Sequence, residues 1–167
     1  IVFGDWSSDV CSSDLRFNRF DGNFSYSENL FTLKSEVHPE NAGKIEIEAS
    51  LPLQARLDSI NFQLNFNDSL NARLSIKNLS LDLLKSLDIN EDISGYIEGF
   101  TEISGTMNDP LLTGNFSLKE TVVNGYRLTQ FDHFVNYANK LFSLHSHLVT
   151  QDSGKFSVDA SLPMHFY

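Results

Sequence analysis

The stretch Gly43-Lys44-Ile45-Glu46-Ile47-Glu48-Ala49-Ser50-Leu51-Pro52-Leu53 decides the fold. Apolar residues stand at Ile45, Ile47, Ala49, Leu51 and Leu53, with Glu46, Glu48, Ser50 and Pro52 between them. Successive side chains of an extended strand point to opposite faces, so a period of two predicts a β-strand with one oily and one wet face. The alternation recurs at 156–164 (Phe156, Val158, Ala160, Leu162, Met164), 60–67 (Ile60, Phe62, Leu64, Phe66), 70–77 (Leu70, Ala72, Leu74, Ile76) and 112–118 (Leu112, Gly114, Phe116, Leu118). Half-buried strands of this kind belong to antiparallel sheets, whereas strands of a βαβ sheet read as continuous apolar runs. Turn-forming clusters separate them: Ser27-Glu28-Asn29, Pro39 to Gly43, Asn67-Asp68, Asn108-Asp109-Pro110, Asn124-Gly125, Asn139-Lys140 and Asp152-Ser153-Gly154. About ten strands result. One segment reads as a short helix: Leu81, Leu84 and Leu83, Leu87 recur at three- and four-residue spacing behind Ser80, a favoured N-cap type.

Residues 20–53 align without a gap on residues 131–164 at a constant offset of 111, and 13 of the 34 positions are identical. Solenoid repeats run roughly 20–50 residues, so this period predicts a module of several strands repeated along an elongated sheet. On that reading 16–55 ends one module and 56–167 forms the next. The alternative is a pair of related hairpins inside one closed domain.

A chain of 167 residues that is 41% hydrophobic, with 14 Phe, can bury a core and does not match the composition of a disordered segment. The net charge of −10 opposes binding to a nucleic-acid backbone and charge-driven docking on anionic headgroups. No stretch approaches the roughly 18 apolar residues of a membrane helix. Residues 5–15 (Asp-Trp-Ser-Ser-Asp-Val-Cys-Ser-Ser-Asp-Leu) resemble a translated sequencing adapter, so 1–15 are excluded from the fold as an artefact. The only Cys (Cys11) and the only Trp (Trp6) lie there, leaving the rest without a disulfide, a thiolate or a Cys metal site. Residues 16–167 carry 12 cationic and 19 acidic side chains, a net −7, and their abrupt limits predict a fragment of a longer protein.

A long sheet with a continuous apolar face must cover it, because exposed apolar patches above a few hundred Å² are rare on soluble monomers. One short helix cannot do so. The solutions are a second sheet, closure into a barrel, or a curved trough whose interior holds a guest.

Sharper chemistry is weakly represented. His145 and His147 share one strand face and could ligate Zn²⁺, but they alternate with Leu144 and Leu148 and fall on the wet side. His133 has the phase of Phe131 and Val135 and reads as a structural accommodation. Gly95, Gly99 and Gly105 sit in strand pattern with no helix opening after them, which indicates bends or bulges and not a phosphate loop. Glu46 and Glu48 read as a solvated face more readily than as an acid–base pair. The expectation is a protein without enzymatic activity, metal or cofactor.

The stretch Gly95-Tyr96-Ile97-Glu98-Gly99 followed by Ile103-Ser104-Gly105-Thr106 and Pro110-Leu111-Leu112-Thr113-Gly114-Asn115-Phe116 resembles the recurring pattern of the TamB/AsmA-like family. Gly95, Gly99, Gly105, Thr106, Pro110, Leu112, Gly114 and Phe116 fall on it, and Gly154-Lys155-Phe156 with Leu162-Pro163 matches the strand that follows. The resemblance implies a β-taco: an all-β, elongated, curved antiparallel sheet forming a trough with a hydrophobic concave face. It implies a periplasmic rod, anchored in the inner membrane by a segment outside this fragment, that carries phospholipid acyl chains to the outer membrane of a Gram-negative bacterium. A second implied role is a scaffold for outer-membrane protein assembly with a barrel partner. A plain repeated sandwich of a surface adhesin is the remaining class. The side chains expected to line the groove are Phe31 and Leu33; Ile45, Ile47 and Leu51; Phe62, Leu64 and Phe66; Leu74 and Ile76; Ile103; Phe116 and Leu118; Phe142 and Leu144; and Phe156, Val158 and Leu162.

Overall fold

The computed structural model describes residues 17–40, 43–56, 61–64, 66–83 and 92–164. The strands are β1 (Phe17–Ser27), β2 (Leu30–Pro39), β3 (Lys44–Arg56), β4 (Asn61–Leu64), β5 (Asn71–Ser80), β6 (Ile93–Gly105), β7 (Pro110–Val123), β8 (Tyr126–Ala138), β9 (Leu141–Thr150) and β10 (Lys155–Pro163). Nine of them form one open antiparallel sheet in the order β1-β2-β3-β5-β6-β7-β8-β9-β10, and β4 pairs with residues 53–56 of β3. The chain is all-β and antiparallel, as the alternation predicts.

Tight turns enforce the meander. Glu28 and Asn29 (φ 52° and 62°), Asn124 and Gly125 (49° and 83°), and Asn139 and Lys140 (53° and 61°) each place two successive residues at positive φ. That is the type I′ geometry, whose twist matches the strands it joins. Of the expected short helix, the described residues hold a 3₁₀ turn over 81–83, while Leu84 and Leu87 lie outside them. Ser80 still caps, its Oγ accepting the Asp82 N–H at 3.2 Å, but Ser80 is also the last residue of β5.

The offset of 111 that relates the two sequence segments also relates their registers. Phe20↔Val37 corresponds to Phe131↔Leu148, Tyr26↔Phe31 to Tyr137↔Phe142, and Leu33↔Ala49 to Leu144↔Ala160. A register shift between Phe17 and Arg19 recurs between Leu128 and Gln130. The Leu53 N–H donates to Asn29 O at 2.8 Å, and the Met164 N–H to Lys140 O at 2.9 Å.

Further irregularities run obliquely across the middle strands. The β5–β6 ladder shifts between Ile76 and Leu79, the β6–β7 ladder between Ser94 and Tyr96, and Glu120 in β7 has φ 51°. Bulges bend a strand and raise its local twist, so this line is a crease in the sheet. At Gly95 (φ 120°) a β-carbon would come within 2.7 Å of Thr121 Cα, and Thr121 is fully buried.

The strands pack extensively only against their ladder neighbours. Leu81 and Tyr137 are the buried large apolar side chains among the described residues. The apolar residues therefore make one face of a single layer.

Candidate functional site: an uncovered apolar face

Directly paired residues of an antiparallel ladder share a face, so the registers place every side chain. One row crosses all nine strands: Phe24, Leu33, Ala49, Ala72, Ile103, Leu112, Tyr137, Phe142, Leu162. The row beside it runs Gly22, Ser35, Ile47, Leu74, Thr101, Gly114, Val135, Leu144, Ala160, and the next Phe20, Val37, Ile45, Ile76, Gly99, Phe116, His133, Ser146, Val158. Partial rows flank these, Tyr26-Phe31-Leu51 at one end and Phe131-Leu148-Phe156 and Ile97-Leu118 at the other. Strands about 4.8 Å apart and rows about 7 Å apart give a face of about 40 by 20 Å. That exceeds the few hundred Å² a soluble monomer ordinarily exposes.

Of the expected lining residues, Phe31, Leu33, Ile45, Ile47, Leu51, Leu74, Ile76, Ile103, Phe116, Leu118, Phe142, Leu144, Phe156, Val158 and Leu162 share this face. Phe66 does not belong to a strand; it sits in the turn after β4 and is exposed. Phe62 and Leu64 stand on β4 opposite Ala55 and Leu53, and their side chains lie outside the described residues. The sequence reading missed Phe20 and Phe24 of β1 and Val135 and Tyr137 of β8. The offset of 111 pairs these two strands and was the available signal.

The face carries few polar groups. His133 and Ser146 are cross-strand neighbours joined through Nδ1 and Oγ at 2.5 Å. Ser35, one full repeat from Ser146, faces Gly22 instead, and its buried Oγ has no hydrogen-bond partner among the described residues. The side chains thin out towards the centre, where Ala49 meets Ala72 and Gly114 faces Thr101.

The paired charged residues of β2 to β6 stand on the opposite face. Glu36, Glu46, Glu48, Arg73 and Glu102 follow one another across β2 to β6. Lys44 Nζ reaches Glu36 at 2.8 Å and Glu46 at 2.9 Å, Lys77 reaches Glu46 at 2.7 Å, and Lys34 reaches Glu48 at 2.6 Å. Hydrogen bonds from Lys77 and Lys44 lower the Glu46 carboxyl to about 2. Lys44 and His38 hold Glu36 below the usual carboxylate range, and Glu48 and Glu36 respectively raise the Lys34 and Lys44 ammonium groups. The Arg73 guanidinium lies 4.9 Å from the centre of the Phe100 ring, shielding an aromatic on the wet side. His145 pairs with Asp159 (2.5 Å) and His147 with Ser157 (2.9 Å) on this face as well. Among the described residues no group of three His, Cys, Asp or Glu is placed to hold a metal ion.

No family model, no curated protein and no solved structure matches the chain.

Proposed function

We propose that the chain is a segment of a periplasmic, inner-membrane-anchored β-trough that conducts phospholipid between the inner and outer membranes, with the apolar face holding acyl chains. The observation that carries this reading is the row from Phe24 to Leu162, apolar on nine consecutive strands and covered by no second layer among the described residues. An acyl chain of about sixteen carbons, at ~0.8 kcal/mol per buried CH₂, carries roughly 13 kcal/mol of hydrophobic cost in water. A lining of Phe, Leu, Ile and Val offsets most of that. The exchange from bilayer to trough is then nearly neutral, while the headgroup stays wet at the rim. The two halves of the repeat keep apolar character without identity at Ile45 and Phe156, Ile47 and Val158, and Val37 and Leu148, which suits a fluid guest. The Gly- and Pro-spaced pattern of 95–116 that resembles the TamB/AsmA-like family supports the same reading.

A second reading, a scaffold that hands unfolded outer-membrane strands to a barrel partner, is favoured by β1 and β10, each of which pairs with a single strand among the described residues.

Photoreactive benzoylphenylalanine at Ile47 or Leu144, and separately at Glu48 or His145, tests the first reading. After incubation with phosphatidylethanolamine vesicles and irradiation, lipid adducts are expected at Ile47 and Leu144 alone. Adducts on neither face, or equally on both, would overturn it.

A further inference from the structure

We propose that the free edge of β10 is a docking edge for one kind of partner: an antiparallel strand with the pattern of β5, in a register fixed by the repeat. β10 corresponds to β3 at the offset of 111, and β9 to β2. β3 carries β5 on its far side, with Ile45↔Ile76, Ile47↔Leu74 and Ala49↔Ala72 on the apolar face and Glu48↔Arg73 on the wet one. β10 ends the sheet with only β9 beside it among the described residues. The consequence is visible in exposure: Phe156 is 61% and Leu162 57% exposed, while their counterparts Ile45 and Leu51 are half-buried. Transferring the β3–β5 register puts the Ile76, Leu74 and Ala72 positions of the incoming strand opposite Phe156, Val158 and Ala160.

The backbone is set for it. The Met164 N–H points to Lys140 O at the β8–β9 turn. With a period of two, the N–H groups of Val158 and Ala160 also point to β9, and those of Ser157, Asp159 and Ser161 point outward. β5 alternates in the matching sense. The Leu70 N–H donates to Gly105 O of β6 at 2.8 Å, which turns the odd-numbered residues of β5 towards β3. The charges agree too, since Asp159 takes the place of Glu48 opposite Arg73. Pro163, without an N–H, stands at an outward position beyond the stretch that β5 covers on β3. This inference rests on the repeat and its registers and does not depend on what fills the apolar face.

The probe is a fluorescent peptide of residues 69–80 of this chain, titrated with the full chain and followed by anisotropy. Saturable binding is expected. Ser157→Pro removes an outward donor at an edge where proline is tolerated, so it should leave the circular dichroism unchanged and weaken binding by about tenfold or more. Asp159→Lys should weaken binding about three-fold, and a peptide with Arg73→Glu should restore it. In a Cys11→Ser background, Val158→Cys should form a disulfide with a Leu74→Cys peptide and not with one carrying Cys at position 75. Equal binding by folded Ser157→Pro, cross-linking without register preference, or self-association of the chain that the peptide cannot displace would each overturn the proposal.

Discussion

The ring of Phe116 crowds the place where a β-carbon on Gly99 would stand. Such a carbon would come within 2.7 Å of Phe116 Cδ1 and 2.1 Å of Asn115 O, and Gly99 has φ 157°. The two residues are direct cross-strand partners between β6 and β7, so the glycine lets an aromatic lie down on the sheet and keeps the row Ile76-Gly99-Phe116-His133 low.

Gly99→Ala should therefore cost at least about 2 kcal/mol, because the clash is with backbone as well as with the ring. Gly125→Ala is the comparator. Its φ is 83° but nothing lies within 4 Å of a β-carbon there, so only backbone strain of about 1 kcal/mol is expected. Urea denaturation of both variants reads the difference.

A charge on the apolar face separates an open trough from a covered core. Ile47→Glu should destabilise the chain by less than about 1.5 kcal/mol, since the carboxylate remains in water, while abolishing lipid cross-linking from benzoylphenylalanine at its cross-strand partner Leu74. Beneath a second protein layer the same substitution would cost several kcal/mol. Urea midpoints and adduct yields, measured together, check this.

The charged face predicts a pH dependence with a definite sign. Glu46 titrates near 2 in the folded chain against an ordinary value of 4.5. A depressed carboxyl contributes its stability fully above the unfolded value and loses it as pH falls from about 4.5 towards 2. Glu36 acts in the same direction. The stability gap between the wild type and Glu46→Gln should thus be largest at neutral pH and close over that window. A gap that stays constant from pH 7 to 2.5 would contradict it.

Tyr137 and Tyr26 occupy equivalent positions in the repeat but not equivalent surroundings. Tyr137 is 5% exposed, with its hydroxyl donating to Met164 O at 3.2 Å; Tyr26, on the edge strand, is 41% exposed. Tyr137→Ala should cost about 3 kcal/mol and Tyr26→Ala under about 1 kcal/mol. Thermal unfolding of the pair measures how much a flanking strand adds to the same side chain.

Alternation made the faces legible wherever apolar and polar residues strictly take turns, as from Ile45 to Leu53 and from Phe156 to Met164. The hairpins were legible too, because Asn124, Gly125 and Asn139 are residue types that accept positive φ. The lining residues on β1 and β8 were obscured because Gly22 and His133 interrupt the apolar phase there, and only the cross-strand register shows them on the same side. The helical spacing from Leu81 opens on a 3₁₀ turn over 81–83, directly after β5 leaves its ladder at Ser80↔Tyr96, and Leu84 and Leu87 lie outside the described residues. Bulges such as that between Ile76 and Leu79 leave a weak mark, since Asn78 adopts φ 49° without being glycine.

The shift between Phe17 and Arg19 and its counterpart between Leu128 and Gln130 have a geometric consequence beyond either hairpin. Two three-stranded units with the same pairings and the same defect are related by one rigid rotation and translation. A sheet made by iterating that operation winds as a screw of constant pitch, its inner groove turning steadily about the axis. Any passenger travelling along it would spiral.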